Sequence, residues 1–396
     1  MRLSMGSASA VASAPVICDQ TTLVRVCEIL ADLPERYVAL FENNATHSFF
    51  LSLPWFENFC ETALDPFEKT RIFAVESAEA SGTPVAMLVT RYDAAPKRGL
   101  QPRTLSSLTN FYTSLYAPLV SPSQDLTASL GTLARAIKAD RPAWDAVDLK
   151  WLDRDAPVFS GLQRAFRDAG MIVQTYFSAG NWYLPVNGRS YREYLQDLRS
   201  SVRNIASSKN KKIERSGRAH VDIVTGMAGL EPAIEAYERI YASSWKVPEP
   251  YPHFVPGLIR TCARHGWLRL GVAYVDGEPA AAQIWIVSNG TASIYKIAYD
   301  KRYAGLSVGS FLTTRMMEYA LDVDKVSEVD YLTGDDKYKQ DWMSHRRERW
   351  GILAMNPRTP GGALAIARHV GGRAIKRALV SLSGRIRPAH NNSPKS

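Results

Sequence analysis

Several chemistries are excluded by what this chain has little of. Its four cysteines, Cys18, Cys27, Cys60 and Cys262, are scattered and form no C-x-x-C pair. Free thiols are therefore expected, with neither a thiolate zinc site nor a disulfide framework. The seven histidines show no H-E-x-x-H or other zinc spacing, and no metal is expected. A G-x-S-x-G nucleophile elbow is missing, and so is the G-K-[ST] of a phosphate-binding P-loop. No apolar run reaches the roughly 18 residues that span a bilayer. The opening stretch MRLSMGSASAVASAPVICDQ is weakly apolar and broken by serine, so it reads as a flexible leader and not as a signal peptide. Asp and Glu are absent from 357–396, which carries Arg358, Arg368, Arg373, Lys376, Arg377, Arg385, Arg387 and Lys395. The net charge of +9 is thus a basic tail on a nearly neutral body, and a whole-chain isoelectric argument for nucleic-acid binding fails.

What is present suits a globular α/β protein of two domains: 396 residues, 46% hydrophobic and 10% aromatic. Residues 1–35 read as leader plus a short helix. Strands at Arg71–Glu76, Pro84–Tyr92 and within 104–119 precede a helix (LTASLGTLARAIKAD), a strand (WDAVDLKWL), a helix (PVFSGLQRAFRDAG) and a strand (MIVQTYFSA). The second half repeats the order. Strands at 268–275, 280–287 and 291–299 are joined by Asp276-Gly277 and Asn289-Gly290, dipeptides that tolerate the positive φ of tight hairpins. A helix (310–321), a strand (VSEVDYL), a helix (DKYKQDWM) and a strand (RRERWGILAMN) follow. This is a repeat of architecture without obvious residue identity.

Between the third strand and the helix of the second half lies Arg302-Tyr303-Ala304-Gly305-Leu306-Ser307-Val308-Gly309. A glycine loop opening a helix offers unsatisfied N–H groups and a favourable dipole to an anion. Ser307 and Ser310 add hydroxyl donors, and the Arg302 fork suits a phosphate or a surface salt bridge. The corresponding position of the first half, YAPLVSPSQDLTASL, has two prolines and no glycine. One cradle is therefore expected in a two-copy protein.

The residues SVRNIASSKNKKIERSG, YDKRYAGLSVGSFL and DYLTGDDKYKQDW carry a family resemblance. The strand and helix order resembles the GNAT acyltransferase fold. The stretch from Ser201 to Trp342 looks closer still to acetyltransferases of the CelD/BcsL type, associated with cellulose and exopolysaccharide synthesis. These are in turn similar to the Fem peptidyltransferases, built from two GNAT-like halves. The loop departs from the usual Q/R-x-x-G-x-G/A pattern: Ser307 stands at the second small position, and Gly309 comes two residues later. The resemblance implies two tandem GNAT-like domains, each a mixed, mostly antiparallel sheet flanked by helices, over 36–182 and 183–356, followed by the basic tail 357–396. It implies acetyl-CoA or another acyl-CoA as cofactor. The thioester carbonyl would lie near Ile297 and Ala298, and the pyrophosphate on Arg302, Gly305, Leu306, Ser307, Val308, Gly309 and Ser310.

Acyl transfer also needs a proton acceptor for the incoming nucleophile and a proton donor for the thiolate. Asp330 interrupts an apolar strand, so it is either a general base or a paired structural carboxylate. Asp335, Asp336 and Lys339 follow as further ionisable candidates. Tyr338 would protonate the thiolate, a role the resemblance supports, or else pack on Trp342 at i+4. Tyr295 alternates with Lys296 on the third strand. Trp245, Tyr251 and His253 lie in a proline-rich loop that lines an acceptor pocket or plugs the core. Arg203 belongs to a basic helix over Arg199–Arg218 that faces an anionic acceptor or connects two domains. In the tail, Ile375, Leu379, Leu382 and Ile386 recur on one helical face, which suits an anionic membrane surface or packing on the body. The expected protein is a cytoplasmic acyltransferase, acting on a small or sugar-linked acceptor of envelope or exopolysaccharide synthesis. The alternatives are a Fem-like transferase using aminoacyl-tRNA and a non-catalytic membrane-associated binding protein.

Overall fold

The alternating apolar runs become fourteen strands of one sheet in the computed structural model, which describes residues 16–17, 22–78, 82–95, 101–204, 213 and 217–369. In chain order they are β1 (Val16–Ile17), β2 (Thr22–Cys27), β3 (Glu68–Ser77), β4 (Pro84–Asp93), β5 (Thr104–Ser107), β6 (Leu119–Val120), β7 (Ala146–Asp153) and β8 (Ile172–Pro185). The second half adds β9 (Ala219–Val224), β10 (Leu268–Val275), β11 (Glu278–Ser288), β12 (Thr291–Tyr299), β13 (Glu328–Thr333) and β14 (His345–Met355). Both expected hairpins form: Asp276, Gly277, Asn289 and Gly290 have φ of 52°, 81°, 48° and 75°. That left-handed pair closes a two-residue turn with the twist of its strands.

The spatial order is β1-β2-β3-β4-β5-β7-β14-β8-β13-β12-β11-β10-β9, with β6 on β4. Two pairings, β5–β7 and β12–β13, are parallel, and the rest are antiparallel. The mixed, mostly antiparallel two-copy sheet is as expected. Its centre is an exchange. β14, the last strand of the second half, lies between β7 and β8 of the first, and β8 lies between β14 and β13. The position 182/183 falls inside β8. The halves are also related residue by residue where strands run parallel. Thr104, Leu105 and Ser106 face Ala146, Val147 and Asp148, and Thr291, Ala292 and Ser293 face Glu328, Val329 and Asp330. The same T-x-S segment thus lies against x-V-D twice.

Helices α1 (Val38–Ala45) and α2 (Leu53–Thr62) precede β3. The first half also holds α3 (Leu126–Ala139) and α4 (Pro157–Asp168). After β8 come α5 (Tyr191–Asp197) and α6 (Ser200–Asn204), then α7 (Leu230–Ala242), α8 (Phe254–Arg264), α9 (Val308–Glu318) and α10 (Lys337–Trp342). Ser52 starts α2 by accepting Trp55 N–H, and Ser190 starts α5 with a full capping box. α2 packs across the pseudo-repeat onto α8. Trp55 meets Phe254 edge-on at 5.6 Å, and Asn58 Nδ2 donates to Phe254 O at 3.3 Å. Trp55, Phe59 and Phe254 are buried, each contributing about 2–3 kcal/mol by leaving water. One core cluster therefore joins both halves and fixes them as a unit.

Thr22–Cys27 is a strand on β3, and the helical part of the N-terminal region is the single turn Leu30–Asp32. Residues 360–369 of the expected tail are helical and pack Ala365 on Ala146 and Met355. The amphipathic stretch from Ile375 onward, and most of the basic run after Arg203, lie outside the described residues. Cys27, Cys60 and Cys262 are free thiols. Among the described residues no helix is long and apolar enough to cross a membrane.

Candidate functional site

The site begins where β12 and β13 part. Their ladder ends at the pair Ser293–Asp330, and Asp330 is the reason. Its Oδ1 accepts the N–H of Leu332 at 2.7 Å, a bond two residues along its own strand. This turns Leu332 to φ 58°, a left-handed conformation that is strained for a leucine. β13 shifts register against β8 at that point. The carboxylate is held from two further sides, by Asn181 Nδ2 and Arg347 Nη2, both at 2.5 Å. On the other strand, Tyr295 is the extra residue of a β-bulge, because Ile284 faces Lys296 while Trp285 faces Ile294. β12 thus runs on beside β11 with its other edge released from β13.

The released edge lines a cleft of about 230 Å³ with Tyr112, Ser114, Lys246, Thr333, Asp336, Tyr338 and Lys339 among its walls. The first half supplies Tyr112 and Ser114. Tyr295 Oη donates to Tyr112 O at 3.1 Å, and Tyr112 Oη donates to Glu249 Oε2 at 2.5 Å. Glu249 also holds Lys296 at 2.6 Å. Lys339 is buried and donates to the carbonyls of Tyr331 (3.0 Å) and Thr333 (2.6 Å). Burial lowers its pKa, and burial together with the nearby Lys296 ammonium lowers that of Lys246. Burial also pushes the Tyr338 hydroxyl up to about 12. Tyr338 stays protonated at neutral pH, the state a proton donor needs.

A second and larger cavity, about 950 Å³, lies between the halves. Its rim carries amides and hydroxyls, including Asn43, Thr46, Ser48, Gln124 and Asn289, over an aromatic wall of Phe49, Phe50 and Tyr116. Its floor is a charge network missed in the sequence. Arg347 Nη2 reaches Glu328 Oε1 at 2.7 Å as well as Asp330, Arg347 Nε donates to Asn181 Oδ1 at 2.9 Å, and Arg349 Nη1 lies 2.9 Å from Asp153 Oδ2. Arg347 and Arg349 alternate along β14 with the outward Arg346 and Glu348, so a period of two in RRERW was the available signal. Ser114, Asp330 and Leu332 stand at this cavity, and Ser114 and Leu332 line the cleft too. The two spaces meet where the strands part.

The loop after β12 is a 3-10 segment of about two turns, Lys301–Leu306, followed by Ser307 at φ 55° as the N-cap of α9. Ser307 makes no side-chain cap bond. The first intrahelical bond is Phe311 N–H to Ser307 O at 3.0 Å, so the N–H groups of Val308, Gly309 and Ser310 precede the ladder. A Cβ on Gly305 would meet nothing within 4 Å, whereas one on Gly309 would approach the Tyr299 ring to 3.2 Å. Gly309 is thus a close-packing glycine and Gly305 an open one. Arg302 grips Asp300 Oδ2 through Nε (3.0 Å) and Nη2 (2.7 Å), with its side chain still 70% exposed. Beside the loop, Trp245 lies on Tyr299 at 4.5 Å, and Trp245, Val247 and Leu306 leave apolar surface exposed.

The structure gathers Tyr295, Ile297, Tyr338 and Lys339 in the cleft, with Asp330 behind it, and Arg302, Gly305, Leu306, Ser307, Val308, Gly309 and Ser310 at the adjoining helix start. Ala298 is buried on β12. Asp335 lies elsewhere, bidentate to Arg346 at 2.8 and 2.9 Å over Gly180. The Arg346 guanidinium holds its pKa below the usual carboxylate range. Trp342 is core, with its carbonyl accepting from Tyr194 Oη at 2.7 Å. Tyr251 donates to Asp65 at 2.8 Å, His253 is the exposed N-cap of α8, and Arg203 bonds Gln196 O at 3.1 Å. None of these five lines either cavity.

The sequence profile of the acetyltransferase (GNAT) domain matches residues 200–340. These residues form a GNAT-fold domain. Its span takes in the loop, the start of α9, the parting of β12 and β13, and most of α10. No curated protein matches the chain by sequence. Among solved structures it is similar to FemX, with 10% identity and a TM-score of 0.55 over 83% of this chain and 96% of that one. It is also similar to a conserved protein of unknown function from Bacteroides thetaiotaomicron, with 10% identity and a TM-score of 0.51 over 84% and 99%. A tandem GNAT protein from the clavulanic acid biosynthesis pathway aligns over 85% of this chain and 100% of its own, with 13% identity and a TM-score of 0.48. At these identities the likeness is one of fold.

Proposed function

We propose that the chain is an acyl-CoA-dependent N- or O-acyltransferase, with its donor in the cleft of the second half and its acceptor in the cavity between the halves. The observation that carries this reading is the junction of the two spaces at Ser114 and Leu332, beside a strand edge with released backbone groups. The chain's residues fit the donor. The uncapped N–H groups at the start of α9 and the exposed Arg302 fork suit a pyrophosphate. Open space around Gly305 lets a phosphate approach the backbone. The apolar shelf of Trp245 and Leu306 suits the less polar parts of the molecule. An acyl-CoA supplies an activated acyl group as a thioester.

Along β12, alternate N–H groups face the open side and can polarise a carbonyl. Tyr338 holds the proton that a leaving thiolate requires, and the proton that the acceptor loses on acylation restores the phenol. Asp330 acts as a positioning residue: its carboxylate is engaged by Arg347, Asn181 and Leu332 N–H, and it keeps the strands apart. The rim of amides and hydroxyls over an aromatic wall favours a polyhydroxylated acceptor, such as a sugar or sugar-linked precursor. That reading goes with the sequence resemblance to the CelD/BcsL type.

Labelled acetyl-CoA incubated with the protein and a panel of amino sugars, sugars and amines tests the reading. Label should pass to a sugar, and Ser114→Trp, which fills the junction, should abolish transfer. Salt-sensitive tRNA binding without CoA binding would replace this reading with aminoacyl transfer.

A further inference from the structure

In the first half, the C-terminal turn of α3 and the turn after β14 border an open pocket of about 400 Å³ that shares no lining residue with the donor cleft or the acceptor cavity. We infer that this pocket is a binding site for a phosphate group, presented by a soluble phosphate ester or by a phospholipid headgroup. Four cationic side chains line it, Arg135, Lys138, Arg141 and Arg358, with Asn356 and Thr359 as hydrogen-bonding neighbours and no carboxylate in the lining.

The surrounding acids are committed elsewhere. Asp140 accepts from Arg71 (2.5 Å) and from Trp144 Nε1 (2.8 Å), and Asp145 accepts Arg103 N–H at 2.7 Å. The negative end of α3 is answered by one of the four cations. Arg141 Nη1 donates to the carbonyls of Ala139 (2.8 Å) and Asp140 (2.9 Å). Lys138 turns instead to the amide oxygen of Asn356, a neutral partner that leaves its charge in place. Burial and the facing Arg358 lower its pKa, as expected for like charges brought together without a counter-ion. Asn356 Oδ1 also accepts Arg358 N–H at 3.0 Å, and Asn356 Nδ2 is anchored to Trp144 O at 3.1 Å. The amide therefore fixes two cationic residues from different parts of the chain on one pocket. A phosphate group is the ligand that suits Lys138 and Arg358, brought together with no carboxylate in the lining.

Calorimetry on the full chain with inorganic pyrophosphate, and co-sedimentation with phosphatidylcholine vesicles with and without phosphatidylglycerol, test the inference. Lys138→Gln/Arg358→Gln should weaken binding of at least one probe about tenfold at an unchanged melting temperature. Lys138→Arg/Arg358→Lys should keep most of the affinity. Pyrophosphate binding with vesicles ignored identifies a soluble phosphate ester, and binding confined to phosphatidylglycerol vesicles identifies a lipid headgroup. An equal loss in the control Arg239→Gln/Arg260→Gln would mean diffuse surface charge and overturn the site. So would a double variant that binds both probes as the wild type does.

Discussion

Ser106 faces Asp148 in the first half as Ser293 faces Asp330 in the second, yet beyond these pairs the strands take different courses. In the second half Asp330 turns on its own strand to bind Leu332 N–H, and β12 continues to Tyr299 beside an open cleft. In the first half Lys150 N–H goes to Ser107 Oγ at 3.1 Å, and Tyr116 N–H goes to Trp151 O at 2.9 Å. The segment after β5 thus folds back into the gap and buries Tyr116 there. The same segment carries Tyr112 and Ser114 into the cleft of the other half. The helix starts differ likewise. Asp125 caps α3 by accepting Ala128 N–H at 2.7 Å, while Ser307 leaves α9 without a side-chain cap. One copy has filled the gap between its own strands and become a wall of the other's cleft.

The largest effect that tests this contrast is expected at Asp330. Asp330→Ala leaves Arg347 short of a partner and Leu332 without its bond, at a cost of about 3 kcal/mol in urea unfolding. Asp148→Ala, which removes the acceptor of Tyr176 Oη, should cost about 1 kcal/mol. Equal losses would break the comparison. Tyr338→Phe should lower kcat about 100-fold with little change in donor affinity, as steady-state kinetics would report. Gly309→Val drives a side chain into Tyr299 and should cost about 2 kcal/mol in thermal or urea unfolding. Asp125→Ala removes the cap of α3 and should cost about 1 kcal/mol without creating a second CoA site. A binding stoichiometry of two in that variant would show that the cap alone had silenced the first half.

Much of this was legible in the sequence, for local reasons. The DG and NG dipeptides set both hairpins, and the strands 268–275 and 291–299 fall where alternation places them. Other features depend on partners far along the chain. The insertion of β14 between β7 and β8 pairs residues about two hundred positions apart, and nothing in either strand's alternation names its neighbour. α1 and α2 lie in VALFENNATHSFFLSLPWFENF, where six aromatic residues blur the helical period, although Glu42 and Glu57 mark an exposed face on each helix. Asp330 was visible as a carboxylate in an apolar strand. Its partners Asn181 and Arg347 were not, so base and structural anchor looked alike. Gly305 and Gly309 looked equivalent until Tyr299 was seen against one and space against the other.

Calorimetric titration of acetyl-CoA into wild type and Gly305→Val tests the central claim most directly, that the second half alone keeps a donor site. The account predicts one binding event per chain, and strongly weakened binding in Gly305→Val at an unchanged melting temperature, since that side chain would meet only the donor. Absence of binding to the wild type, or equal binding to both proteins, would contradict it.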